Sequence, residues 1–175
     1  MTALSNPGTL LLLALAVIGG VWDLAKRRIP NVLTFSAAAA GLAWNSYSGG
    51  WHGAANSAEG LLLGVAILLP FFALGGTGAG DVKMLGAAGA ITGWFGVLRI
   101  LIYFGLFGGV VALAVAITAS RFSHVVKNTS YLAGLLARGR VSEAGKMESA
   151  GPPLPYGAVI GVGCLLFIWV GAKAG

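Results

Sequence analysis

Charge is what this chain has least of. Charged residues make up 9% of its 175 residues, where a typical soluble domain carries about 25%. A globule this small has too much surface to cover with so few charges, which excludes a cytosolic enzyme and a disordered chain. Cysteine is nearly absent as well. The single Cys164 sits in an apolar run, so a disulfide scaffold and a cysteine zinc site are excluded. It is expected to be a small buried hydrophobe. Histidine is limited to His52 and His124. Neither has a metal-ligand neighbour at useful spacing or a convincing serine partner, so both are expected at the surface and no metal site is expected. What is there instead is apolar: 57% of the residues are hydrophobic and the mean hydropathy is +0.88. Stretches of roughly twenty such residues mean bilayer spans.

Six spans are expected, at about Leu4–Trp22, Val32–Tyr47, Ala58–Leu74, Val82–Phe95, Val97–Ala119 and Leu154–Ala172. The first lacks the cleavage site of a removable signal peptide and is kept as a span. The fourth is short and rich in Gly and Ala, and almost no loop separates it from the fifth around Gly93–Gly96. Between the fifth and sixth lies the one substantial polar stretch, Arg121–Ala150. Within it Phe122, Val125, Val126, Thr129, Leu132, Ala133 and Leu136 recur at helical spacing with basic residues alongside. This predicts an amphipathic helix lying on anionic lipid. The expected fold is therefore all-α and polytopic: one membrane-embedded domain over residues 1–175, with a cytoplasmic loop at about 120–153.

The net charge of +6 arises from 11 Lys+Arg against 5 Asp+Glu. In a soluble protein that excess would point to nucleic acid; here it obeys the positive-inside rule. With six spans, Lys26, Arg27, Arg28, Lys83, Arg121, Lys127, Arg138, Arg140 and Lys146 share one side, and only Arg99 and Lys173 fall on the other. The shared side is expected to be cytoplasmic and both termini outside. Trp44, Tyr47, Trp51, Trp94 and Trp169 gather near the predicted outer interface, as amphipathic rings do.

Only two aspartates exist, Asp23 and Asp81, and both fall at predicted cytoplasmic ends of spans. A carboxylate near the bilayer is costly. Each alone can be read as an interfacial charge paired with Lys26 or Lys83, but two at one depth fit aspartic hydrolysis. In that chemistry two carboxyls share one proton because both cannot ionise at close range. The ionised one deprotonates a water, and the protonated one polarises the scissile carbonyl. No metal or cofactor is needed. The glycines before Asp81, in Gly75-Gly76-Thr77-Gly78-Ala79-Gly80, allow positive φ and close backbone approach. They are expected to bring Asp81 toward Asp23 and leave room for an extended substrate.

Asp23, followed by a basic stretch and Ile29-Pro30-Asn31, then Gly78-Ala79-Gly80-Asp81-Val82-Lys83, and later Leu154-Pro155-Tyr156-Gly157, together resemble the type IV prepilin peptidase family. These are membrane aspartic proteases with a Gly-x-Gly-Asp motif. The resemblance implies that Asp23 and Asp81 are catalytic and that the substrate is the basic leader of a prepilin, cut at the cytoplasmic face of the bacterial inner membrane. Long family members carry a cytoplasmic insert with paired cysteines and also N-methylate their product. Only Leu24 to Lys26 separate Asp23 from the Arg27–Asn31 stretch here, and no cysteine pair exists. The chain thus resembles the short form serving Flp-type (tight-adherence) pili, without methyltransferase activity.

Secondary candidates are Gly78 and Gly80, as loop or substrate-binding positions, and Lys83, as a substrate contact or a bias on the pair. Pro30 is expected to start the second span, and Asn31 to cap or brace there. Glu59 is expected to be an outer interfacial anchor. Two other classes remain open: a small proton-coupled transporter, since intramembrane carboxyls also relay protons, and a non-catalytic pilus assembly scaffold. Both aspartates on one face and the lack of an inverted repeat disfavour the transporter. The presence of both aspartates disfavours the scaffold. Oligomeric state is not legible.

Overall fold

A computed structural model describes residues 6–118 and 156–174. Four helices make up the described chain: α1 Pro7–Lys26, α2 Asn31–Ala73, α3 Ala79–Thr118 and α4 Tyr156–Ala174. No strand occurs among the described residues. All four helices are long and apolar enough to cross a bilayer. The amphipathic helix expected within 121–150 lies outside the described residues.

The helix ends follow local chemistry. Asn6 caps α1, its side chain accepting from the Gly8 N–H at 2.9 Å, and Pro7 stands in the first turn where its missing N–H costs nothing. The helix closes on Arg27 in the left-handed region (φ 50°), whose N–H donates to the Asp23 carbonyl at 2.7 Å. Four residues later α2 begins. It ends in a Schellman motif: the Gly76 N–H reaches the Phe71 carbonyl and the Gly75 N–H the Phe72 carbonyl, with Gly75 at φ 75°.

Neither α2 nor α3 is straight. Gly50 (φ 57°, ψ −141°) and Gly93 (φ 75°, ψ 178°) leave helical geometry in mid-element, and both angles suit glycine alone. In a straight helix Gly41 and Gly60 would lie about 28 Å apart. Yet a Cβ at Gly41 would sit 2.8 Å from Cγ1 of Ile91, and one at Gly60 would strike the Gly89 carbonyl. The chain therefore folds back at Gly50. It folds back again at Gly93, because Gly108 packs on Val159 while Gly80, at the far end of the same helix, packs on Ile29 beside Gly157. The expected loop around His52 is thus a single-glycine bend, and His52 lies within α2. The division sensed near Gly93–Gly96 occurs at Gly93.

The first arm of α3 is the centre of the molecule. Met84, Leu85, Ala87, Ala88 and Ala90 are buried, flanked by Leu12, Leu15 and Ala16 of α1 and by Ile160 and Cys164 of α4. Small residues let backbones meet: Gly60 faces Gly89, and Gly64 faces the Leu85 carbonyl. Large apolar side chains such as Val32, Leu62 and Leu106 point outward, as a lipid-facing exterior requires.

The bend at Gly93 would strand backbone groups inside the bundle, since a helix end leaves its last carbonyls and first N–H groups unpaired. The second element supplies their partners. Asn45 Nδ2 donates at 3.0 Å to each of the Gly41, Ala90 and Ile91 carbonyls. The buried Ser57 hydroxyl also donates to the Ala90 carbonyl. Asn56 Oδ1 accepts from the Trp94 N–H at 3.4 Å.

Candidate active site

Asp23 lies in the last turn of α1 and Asp81 in the first turn of α3. The loop joining α1 to α2 bridges them through Ile29. This side chain is buried, and the slot where a Gly80 Cβ would lie is 3.2 Å from its Cβ. The corresponding slot at Gly157 is 2.6 Å from Ile29 Cδ1 and 2.9 Å from Asp23 Cγ. Two glycines with little or no room for a side chain thus let three elements converge on the carboxyls. Asp81 lies within electrostatic range of Asp23, and Tyr156 within that of Asp81.

Both carboxyls are buried, at 6% and 7% exposure, and a buried carboxyl needs hydrogen bonds. Each receives one from a backbone N–H at a helix start. Gly78 donates to Asp81 Oδ2 at 2.9 Å. Asp81 stands three residues past the capping position and reaches back to it, half of a capping box. Asp23 Oδ2 accepts from the Ala158 N–H at 3.2 Å, a bond across 135 positions to the first turn of α4.

Residues 10–113, more than half the chain, match the type IV leader peptidase family. The chain belongs to the type IV leader peptidase family. It is accordingly a peptidase and an integral membrane protein, and the family's prepilin leader peptides are its substrate class. Comparison with curated proteins and with solved structures finds no match. The matched span includes both aspartates but not α4.

The other predicted positions of this leader peptidase separate into those that touch the pair and one that does not. Gly78 and Gly80 both precede Asp81, but neither uses positive φ; only Gly75 in that loop does. Their smallness serves close approach instead, to the Asp81 carboxyl and to Ile29. Lys83 does not turn to Asp81. Its Nζ donates to Asn31 Oδ1 at 2.9 Å and lies 5.4 Å from the Phe35 ring. Asn31 therefore braces α2 against α3 rather than capping α2, where Pro30 holds the capping position without a side-chain bond. Glu59 is exposed and Cys164 fully buried. Among the described residues no His/Cys/Asp/Glu cluster could hold a metal.

Three features at the pair carried no role in the sequence. The α4 start supplies the Ala158 N–H and the Gly157 slot, although Tyr156-Gly157 was visible as a motif. Ile29 is the apolar wedge between them. Thr77, four residues before Asp81, has a buried hydroxyl with no hydrogen-bond partner among the described residues. A cavity of about 330 Å³, lined by Leu12, Trp44, Asn45, Thr92 and Phe167, lies toward the opposite end and includes neither aspartate.

Proposed function

We propose that this chain is an aspartic endopeptidase that removes the basic leader of Flp-type prepilins at the cytoplasmic face of the bacterial inner membrane, without N-methylating the product. The observation that carries this reading is the pairing of the only two aspartates. They come from different helices, are buried at one end, and lie in electrostatic range of one another. The two lysines that could pair with them are placed elsewhere: Lys83 donates to Asn31, and Lys26 lies over the Trp22 ring.

The chemistry follows from two carboxyls sharing a proton. The ionised member takes a proton from water, whose oxygen attacks the scissile carbonyl carbon. The protonated member donates to the carbonyl oxygen. When the tetrahedral species collapses, the C–N bond breaks and the leaving amine receives a proton from the pair. The pair titrates as a unit, so the rate falls at both pH extremes, where the pair holds two protons or none.

The narrower parts of the reading have their own supports. The bends at Gly50 and Gly93 favour six crossings, with both termini outside. The link between α1 and α2 is only residues 27–30, and the single cysteine is buried in α4. Both favour the short form over a methylating one. The membrane lipid and the prepilin leader are the expected partners.

The deciding experiment mixes purified protein with a prepilin peptide. Wild type should release a leader-sized fragment. Asp23→Asn and Asp81→Asn should each lower the rate by at least about 10²-fold, the lower range for a lost acid–base group. Full processing by either variant would reject the aspartic reading. Proton uptake without cleavage would favour a transporter.

A further inference from the structure

The two aspartates are held differently. Asp81 is fixed by its own loop, through the N–H three residues upstream. Asp23 ends α1, and no N–H of its own helix start is near it. Its carboxyl is held from α4, by the Ala158 N–H. The fit on that side is close. A Cβ at Gly157 would stand 2.9 Å from Asp23 Cγ and 3.0 Å from its Cβ, and real Cβ contacts are not made so near. The helices themselves approach through Gly20 on α1, where a Cβ would sit 3.6 Å from the Ala158 Cα, and through Gly161, packed on the Ala16 carbonyl. Asp23 is 6% exposed, and a carboxyl so buried depends on the hydrogen bonds the protein supplies.

We infer that Gly157 and the Ala158 N–H form a positioning element that sets the orientation of the Asp23 carboxyl for the reaction. This deepens the proposed function and rests on it. Gly157 is a positioning residue and not a catalytic one, because it acts through Asp23. The bond to Ala158 occupies one Asp23 oxygen, Oδ2, and so restricts how the carboxyl can turn. A methyl group at residue 157 pushes the carboxyl away from this donor without altering either acid.

The test uses the full chain in detergent or liposomes, with a peptide carrying a basic leader, a glycine before the cut and an apolar segment after it. Gly157→Ala should lower kcat by about 10²-fold, the cost of an ångström-scale misplacement, with KM little changed. Its pH–rate profile should also move along the pH axis, since the pair as a unit has lost one of its hydrogen-bond donors. A lost folded fraction scales the whole profile down without moving either limb, and that result would overturn the inference.

A second pair of variants guards against a packing explanation. The Gly157 slot also touches Ile29 Cδ1 at 2.6 Å, and Ile29→Val removes that atom. If Asp23 is the affected group, Gly157→Ala is equally damaging in the Ile29→Val background. Recovery of cleavage there makes Gly157 a packing residue and rejects the inference. Asp23→Asn serves as the control for the underlying reading. If that variant cleaves normally, the aspartic assignment fails. If it is inactive while Gly157→Ala cleaves like wild type, only the positioning role fails.

Discussion

At the scale of single residues, Asp81 has two duties that substitutions can separate. Its side chain accepts from the Gly78 N–H at the start of α3, and an amide oxygen can accept the same bond. Asp81→Asn should therefore be inactive yet unfold like wild type. Asp81→Ala should be inactive and also less stable by about 0.5–2 kcal/mol, the usual cost of a lost cap. Thermal unfolding in detergent compares them; equal midpoints would mean the bond carries no stability. Lys83 is argued in the same way. One of its three donors is given to Asn31, which leaves the ammonium able to hold a substrate carboxylate. A glutamate placed a few residues past the cut in a test peptide would probe this. Lys83→Ala should slow cleavage of a Glu-bearing peptide more than that of its Gln counterpart. Equal losses would reassign Lys83 to bracing α2 against α3. The aspartates themselves were legible because there are only two of them and a carboxylate near lipid demands a reason. The Ala158 N–H was not legible, since every residue but proline has such a donor and only folding selects one across 135 positions.

At the scale of elements, hydropathy located the apolar arms but misjudged their joints. The spans read at Val32–Tyr47 and Ala58–Leu74 leave His52 in an expected outer loop. The break is confined to Gly50 and helix resumes at once on either side, because polar side chains inside a bundle can serve another segment's backbone. Asn56 meets the Trp94 N–H, and Asn45 meets the Ala90 and Ile91 carbonyls freed by the bend at Gly93. Periodicity cannot reveal such partnerships, since donor and acceptor lie some forty residues apart. They also make a prediction. Asn45→Ala leaves those two carbonyls without this donor, and an unpaired buried polar group costs about 1–3 kcal/mol. Part of the loss at Ala90 is offset by Ser57, which donates to the same carbonyl. Asn45→Ala should lower the unfolding midpoint, and Asn45→Ala with Ser57→Ala should lower it by more than the two single losses combined. Strict additivity would show that the two donors do not share the load.

At the scale of the whole molecule, the position of the aspartates ties catalysis to orientation. α1 carries the chain from Asn6, beside Trp44, to Asp23, beside the basic run Lys26, Arg27 and Arg28. Twenty helical residues rise about 30 Å, the thickness of the hydrocarbon core. On the proposed topology the tryptophan end and the aspartate end face opposite aqueous phases. A prepilin leader is basic and resists crossing a membrane for the reason that governs these loops: cationic segments stay on the cytoplasmic side. An enzyme that cuts behind such a leader must hold its acids on that side. Orientation can be read with cysteines, because the native Cys164 is fully buried and contributes little labelling. Arg28 and Trp51 are both exposed, on the aspartate side and at the Gly50 bend respectively. In intact spheroplasts a membrane-impermeant thiol reagent should label Trp51→Cys, and should label Arg28→Cys only after the membrane is opened. The reverse pattern would put Asp23 and Asp81 outside, where an unexported leader cannot reach them. The leader-cleavage reading would then fail even with the pair intact. The expected pattern is required because the sequence that anchors the loop and the sequence that marks the substrate answer to the same electrostatics.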